Sequence, residues 1–170
     1  MLFILKGGMK LFEIRYLLDG EKDFLKEMLY ESIHIKNNKK PPLDDLLSSN
    51  ELMRYHQNWG REGDKAIVAV DNTENPVGAV WYRLFSSEEQ GYGYVNGDIP
   101  EVGIAMKEEV RGKGLGTQLM QAIIEEAKID DFKALSLSVD LDNTNAISLY
   151  YRFGFVEVAR EGTSITMLLK

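Results

Sequence analysis

Cysteine is absent from the 170 residues. That excludes disulfides, thiolate metal sites and a cysteine nucleophile, and it suits a cytoplasmic location. Histidine occurs only twice, at His34 and His56, and the two are not spaced as ligands of one ion, so no metal site is expected. Long apolar runs are missing too. The opening one, Leu2 to Leu5, stops at Lys6, too soon for a signal segment or a membrane span. No GxxxxGK followed by Ser or Thr occurs, which removes the P-loop, and no GxGxxG occurs, which removes the dinucleotide fingerprint. Basic residues are in deficit, 20 against 27 acidic, for a net charge of −7. This balance speaks against nucleic acid as a principal partner and against an anionic membrane surface. It is compatible with a cationic acceptor such as an amine.

What is present suits one globular domain. At 44% hydrophobic, residues 1–170 supply a core of ordinary size with no repeat, linker or low-complexity stretch. Residues 1–8 read as a dispensable extension, because Met9-Lys10-Leu11-Phe12-Glu13-Ile14 makes a natural strand start and Met9 an alternative initiator.

Periodicity predicts the elements. A strand runs from Lys10 to Tyr16. Phe24, Leu25, Met28, Leu29 and Ile33 place a helix over about 21–33, and a second helix follows from Leu43 to about Trp59. The basic, proline-closed segment between them reads as a solvated loop. Lys65 to Val70 and Val77 to Phe85 form a hairpin, in which Gly78 marks a bulge or a close backbone approach. Ser86 to Pro100 is a surface loop with a short strand expected at Tyr92 to Val95. An extended run through Val102 to Met106 leads to a helix over Leu115 to about Lys128. A strand from Ala134 to Val139 and a helix over 143–153 follow, with Asn143 as N-cap and Gly154 at its end. A closing hairpin turns at Glu161-Gly162. The sum is a mixed α/β domain of about six or seven strands and four helices, not a doubly wound sheet.

The stretch from Glu101 to Thr117 organises the rest. A strand, a charged turn and a helix N-terminus are joined through Arg111-Gly112-Lys113-Gly114-Leu115-Gly116. Alternating glycines let a ligand approach the backbone where the new helix leaves N–H groups unpaired, which makes a socket for a pyrophosphate. Arg111, Gly114 and Gly116 fit R-x-x-G-x-G. A second block, Asn143, Ala146, Leu149, Tyr150, Gly154 and Phe155, fits N-x-x-A-x-x-L-Y-x-x-x-G-F. The two blocks, in this order, resemble the GNAT superfamily of acetyl-CoA-dependent N-acetyltransferases, and the element order is similar to that fold.

The resemblance implies two central parallel strands that splay apart after a bulge and admit the pantetheine arm of acetyl-CoA. It implies backbone contacts from Ile104, Ala105 and Met106 to that arm. It also implies pyrophosphate contacts from Arg111, Gly112, Lys113, Gly114, Leu115, Gly116 and Thr117, and a contact from Asn143. Tyr150 becomes the acid that protonates the departing thiolate and Glu101 a general base. The tetrahedral intermediate needs a donor, which a strand N–H near Met106 can supply. His34 and His56 titrate near neutrality and can act as bases, but surface or cap positions are the commoner places for histidine. Trp81, Tyr82 and Tyr94 are the aromatic residues considered for an acceptor pocket. The partners are then acetyl-CoA and an amine, with a homodimer left open. Small-molecule acetylation leads. Acetylation of a protein N-terminus or lysine, and a CoA-binding module without turnover, remain alternatives.

Overall fold

The computed structural model describes residues 11–36 and 39–170. The expected strand start at Lys10 and the reading of residues 1–8 lie outside them. Strand β1 is Glu13–Tyr16, followed by a one-turn 3-10 helix at Asp19–Glu21 and by helix α1, Lys22–Ser32. Helices α2 (Leu43–Leu47) and α3 (Asn50–His56) come next, then β2 (Lys65–Val70) and β3 (Pro76–Arg83). The second half runs β4 (Glu101–Met106), α4 (Leu115–Ile129), β5 (Leu135–Asp140), α5 (Thr144–Arg152), β6 (Val156–Glu161) and β7 (Ser164–Leu169).

One seven-stranded sheet carries these elements, in the order β1-β2-β3-β4-β5-β7-β6. Every neighbouring pair is antiparallel except β4 with β5, which is parallel. Helices cover both faces, so the central strands are apolar on both sides and β2 is buried at five of its six positions. Pleat alternation divides the core in two. Val80 and Tyr82 of β3, Val102 of β4, and Leu135, Leu137 and Val139 of β5 pack with Leu119, Ile123 and Ala127 of α4. Ala79 and Trp81 of β3 and Ala105 of β4 pack on the other face with Leu25, Met28 and Leu29 of α1 and with Leu47 and Leu52.

The expected helix over Leu43 to Trp59 is two helices. Ser49 takes extended ψ (145°) as N-cap of α3, and Ser48 turns its hydroxyl back onto the Asp45 carbonyl at 2.9 Å. Ser48 thus offers the backbone a local hydrogen bond that competes with a continuous helix, and the extended backbone at Ser49 breaks it. No strand forms at Tyr92–Val95. That segment is held by a turn, Tyr94 N–H to the Gly91 carbonyl at 3.2 Å, and by side chains, not by a ladder. Gly78 meets both parts of its expectation. The β2–β3 register shifts at Ala69/Val70 directly beside it, and a Cβ on Gly78 would lie 3.1 Å from Met106 Cβ.

The feature that positions the site is the β4–β5 pair. Only Glu101 and Ser136 stand in register, with Ser136 N–H donating to the Pro100 carbonyl at 3.0 Å. Beyond them the strands part, while β5 stays paired to β7 along its whole length and β4 stays paired to β3. The β3–β4 register runs from Arg83↔Glu101 to Gly78↔Met106 without a shift. The splay therefore arises with no bulge in the β3–β4 ladder.

Candidate functional site

Lys107 N–H donates to the Val77 carbonyl at 2.8 Å, which fixes the hydrogen-bonding parity of β4. In an antiparallel ladder only alternate residues bond to a given neighbour. Glu101, Gly103 and Ala105 therefore bond to β3, whereas Ile104 and Met106 turn their N–H and C=O groups toward the gap. The Met106 carbonyl is met by Arg111 Nε at 3.3 Å. Ala105, expected to contact a ligand through its backbone, faces β3 instead.

Past the end of β4 the chain makes a nest of donors. Arg111 N–H bonds to the Glu108 carbonyl at 3.1 Å, and the helical ladder of α4 begins with Gln118 N–H on Gly114 O at 3.3 Å. Between them, the N–H groups from Gly112 to Thr117 have no acceptor among the described residues. Gly112 and Gly114 adopt positive φ, +73° and +79°, with open space where a Cβ would stand. Gly116 permits a close approach. A Cβ there would lie 3.2 Å from Met106 Cε and 3.5 Å from Leu149 Cδ2, so the end of β4, the start of α4 and helix α5 converge on it. Arg111 and Lys113 are exposed at this mouth, and Arg111 also stands 3.9 Å from Glu31 of α1.

At the closed end of the gap lies Glu101. A glutamate at a strand end is ordinarily a surface residue, yet here it is 5% exposed. The loop from Ser86 to Pro100 folds over it. Gly93 N–H donates to Oε1, and a Cβ on Gly93 would come within 2.6 Å of the Leu137 carbonyl carbon, so only glycine fits against β5. The Tyr55 hydroxyl accepts the Tyr92 N–H at 2.6 Å and faces the carboxylate. Oε2 nonetheless has no partner in hydrogen-bonding geometry. Burial pushes the Glu101 pKa up to about 7, opposed by Tyr55 and by the Gly93 N–H. The Tyr55 ring is held edge-on by Phe85 at 5.0 Å and stacked by Tyr92 at 6.1 Å. Sequence reasoning missed Tyr55, since an aromatic residue on a short amphipathic helix carries no sign of the loop that will close over it.

Helix α5 begins as expected, with Asn143 Oδ1 accepting Ala146 N–H at 3.3 Å. That bond occupies the side-chain oxygen and leaves Nδ2 for any ligand. Tyr150 is 7% exposed, its ring 5.8 Å from that of Phe155. Burial raises its pKa, so it stays protonated through neutral pH. Its neighbour Tyr151 faces solvent.

Two of the three aromatic residues weighed for an acceptor pocket lie in the core, the commoner place for aromatics on half-buried strands. Trp81 lies in the core over Gly103, and Tyr82 is fully buried with its hydroxyl on Asp130, so neither lines an acceptor pocket. His56 engages the Leu47 carbonyl at 2.9 Å and His34 is exposed, the cap and surface places usual for histidine. Tyr94 is half-buried in the loop. Among the described residues no cluster of His, Asp and Glu is spaced to hold a metal ion.

The chain matches the model of the Acetyltransferase (GNAT) family over residues 29–155. It is similar to the mycothiol acetyltransferase of Renibacterium salmoninarum, at 36% identity over 89 residues, covering 52% of this chain and 25% of that protein. It is also similar to the L-methionine sulfoximine/L-methionine sulfone acetyltransferase of Pseudomonas aeruginosa, at 32% over 95 residues, covering 56% and 52%. The matches thus span from a quarter to about half of these relatives' length. A phosphinothricin acetyltransferase from Sinorhizobium meliloti, solved with acetyl-CoA, superposes with a TM-score of 0.68 over 94% of this chain and 88% of that one. At 16% identity this last likeness speaks for the fold alone.

Proposed function

The chain belongs to the GNAT acetyltransferase family, and on that premise we propose that it is a single catalytic domain that moves an acetyl group from acetyl-CoA to the primary amine of a small molecule. Transfer is direct, in a ternary complex. The observation that carries this reading is the parted β4–β5 pair, with the unpaired backbone groups of Ile104 and the unpaired Met106 N–H along one side and the donor nest from Gly112 to Thr117 at its mouth. Unpaired backbone polar groups in a sheet interior call for a partner. An extended amide arm leading to a pyrophosphate supplies one along the strand and another at the nest.

Acetyl-CoA, when bound, supplies an activated thioester. The nest holds its phosphates, and Ile104 and Met106 align the pantetheine arm as a strand would. Asn143 offers Nδ2. The Met106 N–H, aimed into the gap, stabilises negative charge developing on the thioester oxygen. Glu101, poised near neutrality, takes the proton that the attacking amine must lose. Tyr150, kept protonated by burial, delivers one to the departing sulfur. Small-molecule acceptors are favoured because both relatives named above are acetyltransferases named for small molecules, and the acidic surface suits a cationic one.

Calorimetric titration with acetyl-CoA, followed by thiol release against pools of amino acids, polyamines, amino sugars and peptides, tests the proposal. Binding with release in a small-molecule pool is the expected result. Release only with peptides would replace the acceptor class, and an absence of binding would refute the site. Tyr150→Phe is expected to cut turnover at least tenfold and to leave acetyl-CoA affinity and thermal stability within error of wild type. A wild-type rate would remove Tyr150 from the chemistry.

A further inference from the structure

Strand β6 forms one edge of the sheet, and all six of its residues, Val156–Glu161, are exposed. The opposite edge strand, β1, is exposed only at Glu13. An uncovered edge presents a row of unpaired N–H and C=O groups, and the register tells which they are on β6. Ser136 N–H donates to the Pro100 carbonyl, so Leu135, Leu137 and Val139 are the residues of β5 that bond to β7. Leu141 N–H, on the Thr163 carbonyl at 2.8 Å, keeps the same alternation. Their partners Leu169, Met167 and Ile165 are thereby engaged with β5, which leaves Ser164, Thr166 and Leu168 to bond to β6. Those three stand opposite Glu161, Ala159 and Val156. The backbone groups of Arg160 and Glu157 therefore point away from the sheet.

A bulge sets their spacing. The β6–β7 register shifts between Glu157 and Ala159, so Val158 is an extra residue and the outward groups stand three residues apart instead of two. A regular strand, with outward groups at every second residue, cannot match both positions. A second β6 can. Laid antiparallel about a twofold axis between Val158 and Ala159, it brings Glu157 of each copy opposite Arg160 of the other, and both strands carry the same extra residue. The side chains agree with the backbone. Glu157 and Arg160 stand opposite Met167 and Ile165, which share a face of β7. Within one chain the carboxylate already accepts from the guanidinium at 2.9 and 3.0 Å. Across the axis each carboxylate would again stand beside a guanidinium, a favourable cross-strand pair. The same edge carries exposed apolar surface in Val156, Val158 and, on α5, Tyr151, which acts on the charge of Arg160.

We propose that two copies of this chain pair through β6 and join their seven-stranded sheets into one. At each of the two positions the opposed residues exchange both backbone bonds. The contact uses the same patch on both copies, so it closes on itself and stops at a dimer. One strand from each copy makes a small interface, and the dimer is weak and reversible. The pairing is independent of the acetyl-transfer reading.

Sedimentation velocity over roughly 1–500 µM protein tests it, and wild type should pass from monomer to dimer within that range. Glu157→Arg and Arg160→Glu each set like charges opposite one another, and each should weaken self-association about tenfold or more. Mixed in equal amounts the two variants should pair again, since one brings two arginines to the edge and the other two glutamates. The double variant E157R/R160E should self-associate as wild type does. All three should melt within error of wild type, because an exposed ion pair contributes little. In the wild-type dimer the amides of Glu157 and Arg160 should exchange with solvent more slowly than in dilute monomer. A wild type that stays monomeric throughout the range overturns the proposal. So does a dimer that both single variants form as readily as wild type, or a mixture of the two that stays apart. None of these outcomes bears on thiol release, so the acetyl-transfer reading is tested separately.

Discussion

Gly114 shows how one residue carries both backbone and charge requirements. Its φ of +79° is costly for most side chains but tolerated by Asn and Asp. Replacing it by each of these isosteric residues separates strain from electrostatics. Gly114→Asn should fold and bind acetyl-CoA with moderate loss, whereas Gly114→Asp should abolish binding by placing a carboxylate where the phosphates sit. Equal affinities in calorimetry would mean that the nest holds no anion. Glu101 makes a second residue-scale case, in which function opposes stability. Its pKa is raised from an ordinary 4.5 to about 7 by burial, so the folded state binds the proton more tightly than the unfolded chain does. The stability this contributes is fully present below about pH 4.5 and is lost as pH rises through 7. The loss is of order 3 kcal/mol, since each pKa unit corresponds to about 1.4 kcal/mol. Glu101→Gln, which keeps an acceptor for the Gly93 N–H, should therefore melt higher than wild type at pH 8 and equal to it at pH 4.5. Its turnover should fall by roughly 10²–10⁴-fold. A melting difference independent of pH would contradict the burial argument.

At the scale of elements, the loop from Ser86 to Pro100 decides what Glu101 is. It has no ladder of its own and is anchored by the Gly93 N–H on Glu101, the Tyr92 N–H on Tyr55 and the Gln90 carbonyl on Arg54. Gly93→Ala puts a methyl group within 2.6 Å of the β5 backbone, which cannot yield, so the loop must lift. Burial is the largest cause of the raised pKa, and water admitted under the loop should therefore move the acid limb of the rate profile below pH 7. A pH profile checks this, with limited proteolysis across residues 86–100 as the readout of lifting. An unmoved limb in a lifted loop would mean that neighbours other than the loop set the pKa. The helical side has its own anchor. Arg83 and Asp64, each with a side chain 1% exposed, bridge at 2.7 Å, and Arg83 also holds the Arg54 and Gln57 carbonyls. That knot fixes the end of α3, and with it the position of Tyr55.

At the scale of the whole molecule, the parted strands leave a fold whose stability is coupled to its ligand. On the proposed function, acetyl-CoA would join β4 to the nest in the folded state alone, so a hundredfold excess over Kd should add about 2.7 kcal/mol. For a chain of this size that corresponds to a melting shift of roughly 5–10 °C. Dephosphorylated pantetheine, which lacks the pyrophosphate, should shift it far less, and equal shifts would place the phosphates elsewhere. Much of this architecture is legible in the chain as written. The Lys65–Val70 strand, the α4 face of Leu119, Ala122, Ile123 and Ala127, and the Asn143 cap follow from local periodicity and capping, which neighbouring residues settle among themselves. The glycine turn and the Tyr150 helix are equally local, so the family resemblance was readable in order along the chain. The acceptor side was not. Whether Glu101 is surface or buried, whether Tyr82 lines a pocket or fills the core, and whether Ser136 meets Glu101 depend on contacts between segments far apart in sequence. Local pattern holds no record of such contacts. The chain by itself determined the strand, turn and helix that offer unpaired donors. Only the tertiary structure, by closing the loop and α3 over the fork of β4 and β5, decided which carboxylate lost its water.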